Sequence, residues 1–271
     1  MRVDLHIHTS MSDGNFSPSQ VIRMAGAGGL TVVAVTDHNT IAGLLEARRA
    51  AREVDITLIP AVELTSNELE MGEMHILGYG FDPTNAALVE TFEHVRELKR
   101  RQIFGICEKL RSSGFKIDYE DVARAGEGTY VGRQHVARAM LSRRNTLSRY
   151  AIFRDYLGRS GKAYVAMGDF PPEQAIAAIT EAGGITSLAH PTIEQVDRYV
   201  KRLVDAGLDA IEVYRPQSEG TEMLYLEMVA EDFGLMISGG SDWHGFPNDP
   251  PLGSFYVKEN IAAPLLESLG V

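Results

Sequence analysis

A single cysteine, Cys107, leaves the chain no partner for an internal disulfide and nothing from which to build a thiolate zinc finger. No stretch approaches the roughly 18 consecutive apolar residues that a membrane helix needs, so no membrane association is expected. Positive charge is also short overall. Against 37 Asp+Glu there are 26 Lys+Arg, a formal net charge of -11, which speaks against nonspecific nucleic-acid binding by the whole molecule, and no stable binding to DNA is expected. No internal repeat, linker or low-complexity segment is present. The chain opens on a strand pattern rather than a cleavable apolar leader, so a cytoplasmic protein is expected. What it does have is core material: 44% of its 271 residues are hydrophobic, enough for one large α/β barrel domain or a barrel carrying an insertion.

The acidic average hides an asymmetry. Residues 94–165 hold 16 Lys+Arg and 7 Asp+Glu, whereas the remainder holds 10 and 30. So abrupt a change of sign marks a module with a separate task, a basic cap on an acidic, cation-binding body.

In the opening stretch Val3, Leu5 and Ile7 alternate with Asp4, His6 and His8, the period of a strand. Both imidazoles therefore point to one side and can reach one metal ion. Asp13 follows in a loop broken by Gly14. Ser17, Pro18 and Gln20 form a helix start with a capping box. A β-branched strand over 31–36 runs into Asp37-His38, a strand over 57–64 ends at Glu63, and another over 74–81 has His75 near its start. From 84 to 163 the pattern is helical, and this is the basic stretch. Alternation then resumes: a helix after Pro171-Pro172, a strand 185–189 ending at His190, a helix 194–206, a strand 210–214, a helix 218–232, and a strand 235–238 that leads to Asp242 and His244.

Repeated βα units predict parallel strands with helices outside, and chemistry at the strands' C-terminal ends. Six of the eight histidines track such strand contexts; His94 and His135 do not. The pool of His6, His8, Asp13, His38, Glu63, His75, His190, Asp242 and His244 is too large for one ion and fits two or three. A nitrogen/oxygen set without thiolate suits Mn²⁺, Fe²⁺ or Zn²⁺. Two such ions clamp the attacking and leaving oxygens of a phosphoryl displacement and lower the pKa of water, the physical case for phosphoester hydrolysis.

His6-x-His8, Asp13, Thr36-Asp37-His38, Glu63, His75, Ala189-His190-Pro191 and Ser241-Asp242-x-His244 together resemble the PHP (polymerase and histidinol phosphatase) superfamily, along the whole chain. The resemblance implies a distorted (β/α)7 barrel formed by 1–83 and 164–271, a helical insertion at 84–163, and a trinuclear centre. By the family pattern His6, His8, Glu63 and Asp242 would hold one metal. Glu63, His75 and His190 would hold a second, and Asp13, His38 and His244 a third. Asp13, His38, Glu63, Asp242 and His244 are the expected catalytic set, with manganese the expected metal and iron or zinc as alternatives.

Within the superfamily, Arg101-Gln102 with Lys109-Leu110, Gly132-Arg133-x-His135-Val136-Ala137-Arg138 and Gly161-Lys162-Ala163-Tyr164-Val165 resemble the small stand-alone phosphoesterases. These act on nucleoside 3′,5′-bisphosphates and in some members on short 5′-phosphorylated RNA. Arginine offers a planar fork of donors that fits phosphate oxygens. The expected substrate residues are Arg133 first, whose neighbour Gly132 permits close approach, then Arg101 and Lys162, with Gln102 beside them. His135 either orients a phosphate or caps a helix. Three alternatives are weaker. A histidinol-phosphate phosphatase would bring a cationic substrate to a basic cap. An amidohydrolase needs a metal-bridging lysine that the strand ends lack. A non-catalytic metal-binding regulatory module would be expected to have lost ligands. The sequence leaves the oligomeric state open.

Overall fold

The computed structural model describes residues 1–68, 70–126, 130–143, 147–216 and 218–271. The sequence also predicts a turn at Gly126–Gly128, of which residues 127 and 128 lie outside the described residues. The first half of the barrel is built from β1 (Arg2–Ile7), α1 (Pro18–Ala27), β2 (Val32–Val35), α2 (Leu44–Glu53), β3 (Thr57–Glu68) and β4 (Gly72–Tyr79). The second half comprises α7 (Pro172–Glu181), β5 (Ile185–Leu188), α8 (Ile193–Asp205), β6 (Ala210–Tyr214), α9 (Gly220–Phe233), β7 (Met236–Gly239), β8 (Val257–Lys258) and α10 (Glu259–Ser268). Between them lie α3 (Ala86–Ser112), α4 (Tyr119–Arg124), α5 (Arg133–Ser142) and α6 (Arg149–Ile152), the last running on into a π-helical turn at Phe153–Leu157.

The strands form one sheet in the order β7-β6-β5-β4-β3-β2-β1-β8. It is nearly closed. Beyond β7, Trp243 pairs with Ile7 as a parallel bridge and its carbonyl accepts the His8 N–H at 2.9 Å. At the other end of β1, the two-residue β8 pairs antiparallel with Arg2 and Val3. The seven-strand barrel expected from the motifs is thus present, with β8 added.

One strand departs from the parallel pattern. β4 runs antiparallel to both β3 and β5. The reason is the connection: so few residues separate β3 from β4 that no crossover helix fits, and a hairpin is the only solution. β3 also outruns its other neighbour, since β2 ends opposite Pro60 while β3 stays paired to β4 as far as Glu68. Glu63 therefore sits inside a twelve-residue strand, level with the rim of the shorter strands.

The capping box at Ser17 and Gln20 starts α1 as its sequence predicts. Along β1, Val3 and Leu5 pack under α10 and Ile7 packs with α1 and α2, while Asp4, His6 and His8 are equally buried on the other face. At ~1.5 Å per residue the 27-residue α3 is roughly 40 Å long. Its first half (Leu88, Phe92, Val95) packs in the barrel's largest cluster. Its second half (Ile103, Ile106, Cys107, Leu110) packs with α4, α5 and the π-helical turn. Among the described residues no helix is long and apolar enough to cross a membrane.

Candidate metal centre

All nine ligands expected from the sequence converge on one end of the barrel. His6 and His8 close β1, and Asp13 comes from the loop after it. His38 follows β2, and His190 and Asp242 follow β5 and β7. His75 is near the start of its strand, yet β4's reversed direction brings that start to the mouth beside Glu63.

Glu63 is the hub. Its Oε1 lies 2.6 Å from His75 Nδ1 and 2.9 Å from His190 Nε2. Its Oε2 lies 3.3, 3.2 and 3.1 Å from His6 Nε2, His8 Nε2 and His38 Nδ1. Asp242 Oδ1 stands 3.4 Å from His6 Nε2 and 3.1 Å from His8 Nε2. Asp13 faces His244 Nε2 at 3.3 Å and His38 Nε2 at 3.7 Å. Ligand atoms lie within 4.8 Å of one another in four sets: His8, Asp13, His38 and His244; His6, Glu63 and His190; His6, His8 and Asp242; and His38, Glu63 and His75.

Cations fit this set on chemical grounds. His6 Nε2, both nitrogens of His8, His38 Nδ1 and Glu63 Oε2 are buried without a hydrogen-bond partner among the described residues. Buried polar atoms are nearly always satisfied, so five that crowd one point are waiting for a different kind of partner. His75 Nδ1 and His190 Nε2 also meet at 3.2 Å, where two acceptor lone pairs are tolerated best around a cation.

The electrostatics agree. Burial would raise the Glu63 carboxyl, but His38, His75 and His6 hold it well below the usual range. Burial opposes charge on His8, yet Asp242 and Glu63 outweigh it and push the imidazole up to about 10. His75 rises to about 9 against its own burial, through Glu63 and Glu73. His38 goes the other way, pushed down to about 3 by burial. The carboxylates thus gather positive charge of whatever kind is at hand.

The loops are held under strain. Among the described residues, four non-glycine positions have positive φ, and three belong to this site: Asn39 (53°), His190 (30°) and Asp242 (51°). Such geometry costs on the order of 1–3 kcal/mol each and persists only where the surroundings over-determine it. Gly240 must be glycine because a Cβ there would stand 2.4 Å from His6 Cβ.

A cavity of about 170 Å³ opens over the centre. Arg133 lines it, with Nη2 3.0 Å from Glu73 Oε1. The other residues expected to meet substrate are placed differently. Arg101 points outward from α3, 72% exposed and paired with Glu97. Gln102 is buried, donating to the Val165 carbonyl. Lys162 is an exposed residue of the turn after the π-helical segment. His135 is buried and its Nδ1 accepts the Gly132 N–H, so it caps α5. Trp243 faces away from the mouth: it is buried against Phe16 and its Nε1 donates to the Pro250 carbonyl.

Sequence reasoning missed the residues that hold these ligands. Glu212 on β6 takes the His6 Nδ1–H at 2.9 Å and the His190 backbone N–H at 2.6 Å. Asp37 accepts from the Thr9 N–H, the Thr9 hydroxyl and the Ser12 hydroxyl, fixing the loop that carries Asp13. Glu73 gathers Lys99 Nζ at 2.8 Å, Arg133 and His75 on one oxygen, and both Glu73 and Lys99 line the cavity. A lone acid inside the apolar run Ala210–Tyr214 was the available signal for Glu212.

A PHP domain model matches residues 4–147. A 5′-3′ exoribonuclease of Haemophilus influenzae is 34% identical over 253 residues, 91% of this chain and 90% of its own. A phosphoribosyl 1,2-cyclic phosphate 1,2-diphosphodiesterase of Eggerthella lenta is 29% identical over 89% of this chain and 94% of its own. A 3′,5′-nucleoside bisphosphate phosphatase of Chromobacterium violaceum is 31% identical over 89% and 87%. Among solved structures, a provisionally assigned metal-dependent phosphoesterase of Bifidobacterium adolescentis superposes with a TM-score of 0.86 at 30% identity, over 98% of this chain and 96% of that one.

Proposed function

The chain belongs to the PHP family, and from that premise we propose that it is a metal-dependent phosphoesterase that removes a phosphate from a small nucleotide, a nucleoside 3′,5′-bisphosphate above all, with short 5′-phosphorylated RNA as a further substrate. The observation that carries this is Glu63 amid five imidazoles, with buried nitrogen and oxygen atoms that find no hydrogen-bond partner among the described residues.

In this reading His6, His8, Glu63 and Asp242 hold one divalent ion, Glu63, His75 and His190 a second, and Asp13, His38 and His244 a third, manganese before iron or zinc. When bound, such ions neutralise charge on the transferring phosphoryl group and lower the pKa of water. Glu212 fixes the His6 tautomer: with Nδ1–H turned to the carboxylate, Nε2 keeps its lone pair for the centre. Glu73, which Lys99 and Arg133 hold well below the usual carboxylate range against its own burial, keeps both cations at the rim. Lys99 and Arg133 then anchor the phosphate that is not cleaved. We also treat 84–163 as the substrate cap of a barrel formed by 1–83 and 164–271.

A substrate panel with Mn²⁺-loaded protein tests this: a nucleoside 3′,5′-bisphosphate, a 5′-phosphorylated dinucleotide, AMP and histidinol phosphate. The bisphosphate should be turned over with the highest kcat/KM. Charge-assisted bonds contribute about 1.5–3 kcal/mol, so Arg133→Ala should lower kcat/KM on the bisphosphate roughly 10- to 150-fold and on AMP much less. Equal losses on both would move Arg133 to the scissile phosphate. A preference for histidinol phosphate would overturn the nucleotide reading.

A further inference from the structure

Beside the metal mouth lies a second cavity, of about 380 Å³, which no part of the phosphoesterase mechanism uses. It is within the size range of small-molecule sites, roughly 300–1,000 Å³. Gln134 lines both cavities, so the two are neighbours along one wall. One side of the second cavity is a ladder of flat groups. The Arg149 guanidinium carbon sits 3.8 Å from the centroid of Phe246, and the Phe246 ring stacks at 5.2 Å, 13° from parallel, on the ligand His244. Ala137 and Leu141 on α5 add aliphatic carbon to the lining, and Asn15, Asn248 and Asp249 add polar groups. Arg138, also on α5, adds positive charge and is itself anchored, donating to the Asp13 carbonyl at 2.5 Å.

We infer that this cavity takes the base of the nucleotide whose phosphate lies at the metal centre. A cavity lined by a planar cation-aromatic ladder and by aliphatic carbon suits a flat π system. Bases are held in this way on aromatic rings and on guanidinium planes. The ladder also fixes the distance, because it ends on His244, one side chain from the centre. A phosphate at the centre and a base in the slot are then joined by a single ribose. At about 380 Å³ the cavity has room for a purine as well as a pyrimidine. The assignment deepens the proposed phosphoesterase function and rests on it.

The test compares a nucleoside 3′,5′-bisphosphate with the same ribose bisphosphate lacking its base. Stacking on such a platform corresponds to roughly 5- to 150-fold per base. The wild-type protein should prefer the base-bearing substrate by a factor in that range, expressed chiefly in KM. Arg149→Ala removes the outer rung of the ladder, and Leu141→Trp fills the slot without altering its charges. Either substitution should erase most of the preference. Equal kcat/KM on the two substrates by the wild type would overturn the assignment. So would a preference that both variants retain. If only the 5′-phosphorylated dinucleotide lost rate in the variants, the slot would belong to the following nucleotide and the assignment would again be wrong. Failure to hydrolyse either ribose bisphosphate, with activity on a generic phosphate ester intact, would instead remove the nucleotide reading on which it rests.

Discussion

Glu63 shows how one side chain organises a site. It stands between five imidazoles, and its two oxygens face two different groups of them. Glu63→Gln keeps the shape and removes the charge that holds cations together. Steady-state turnover should fall by orders of magnitude while thermal unfolding stays cooperative, and near-wild-type turnover would contradict the hub role. The nine residues that meet at the mouth were legible in the sequence because their chemistry is advertised by residue type at strand ends. Their supports were not. His6 meets Glu212 across 206 residues, a contact that exists only after folding. Lys99 reads as one more charge on a solvated helix face, yet it is 2% exposed and paired inside the cavity.

At the scale of elements, two features decide where the site residues go. The β3–β4 hairpin reverses β4 and so carries His75 to the mouth. Strand and helix positions were readable from periodicity, but strand direction was not. Only the short connection, too short for a crossover helix, hinted at it. β8 and α10 went unread as well: a two-residue strand leaves no period to detect, and Pro264 inside α10 interrupts the helical pattern. The other feature is α3, which packs on the barrel with its first half and against α4 and α5 with its second, and buries Lys99 against Glu73 between the two. Burial lowers the Lys99 ammonium from its ordinary value, a sign that its charge depends on the Glu73 carboxylate. The pair should be asymmetric. Glu73→Ala strands a buried cation, which costs on the order of 3–5 kcal/mol. At 2–4 °C per kcal/mol for a chain of this size, the melting temperature should drop by roughly 6–20 °C. Lys99→Met leaves Glu73 with Arg133 and His75 and should cost clearly less. Equal losses in thermal denaturation would contradict this account of the junction.

For the whole molecule, charge and topology tell one story. The acidic body supplies the carboxylates that cluster at the mouth, and the basic stretch 94–165 brings Lys99 and Arg133 to that mouth and Arg138 and Arg149 to the cavity beside it. That division was visible in the charge pattern. Which basic residues face inward was not, and of Arg101 and Arg133, alike in sequence, the first faces solvent and the second lines the cavity. The centre itself is the central claim, and metal stoichiometry tests it most directly. Elemental analysis of gently purified protein, before and after soaking in Mn²⁺ and removal of free ions, should find two to three divalent equivalents per chain. A value that stays below one equivalent after soaking would contradict a multinuclear centre.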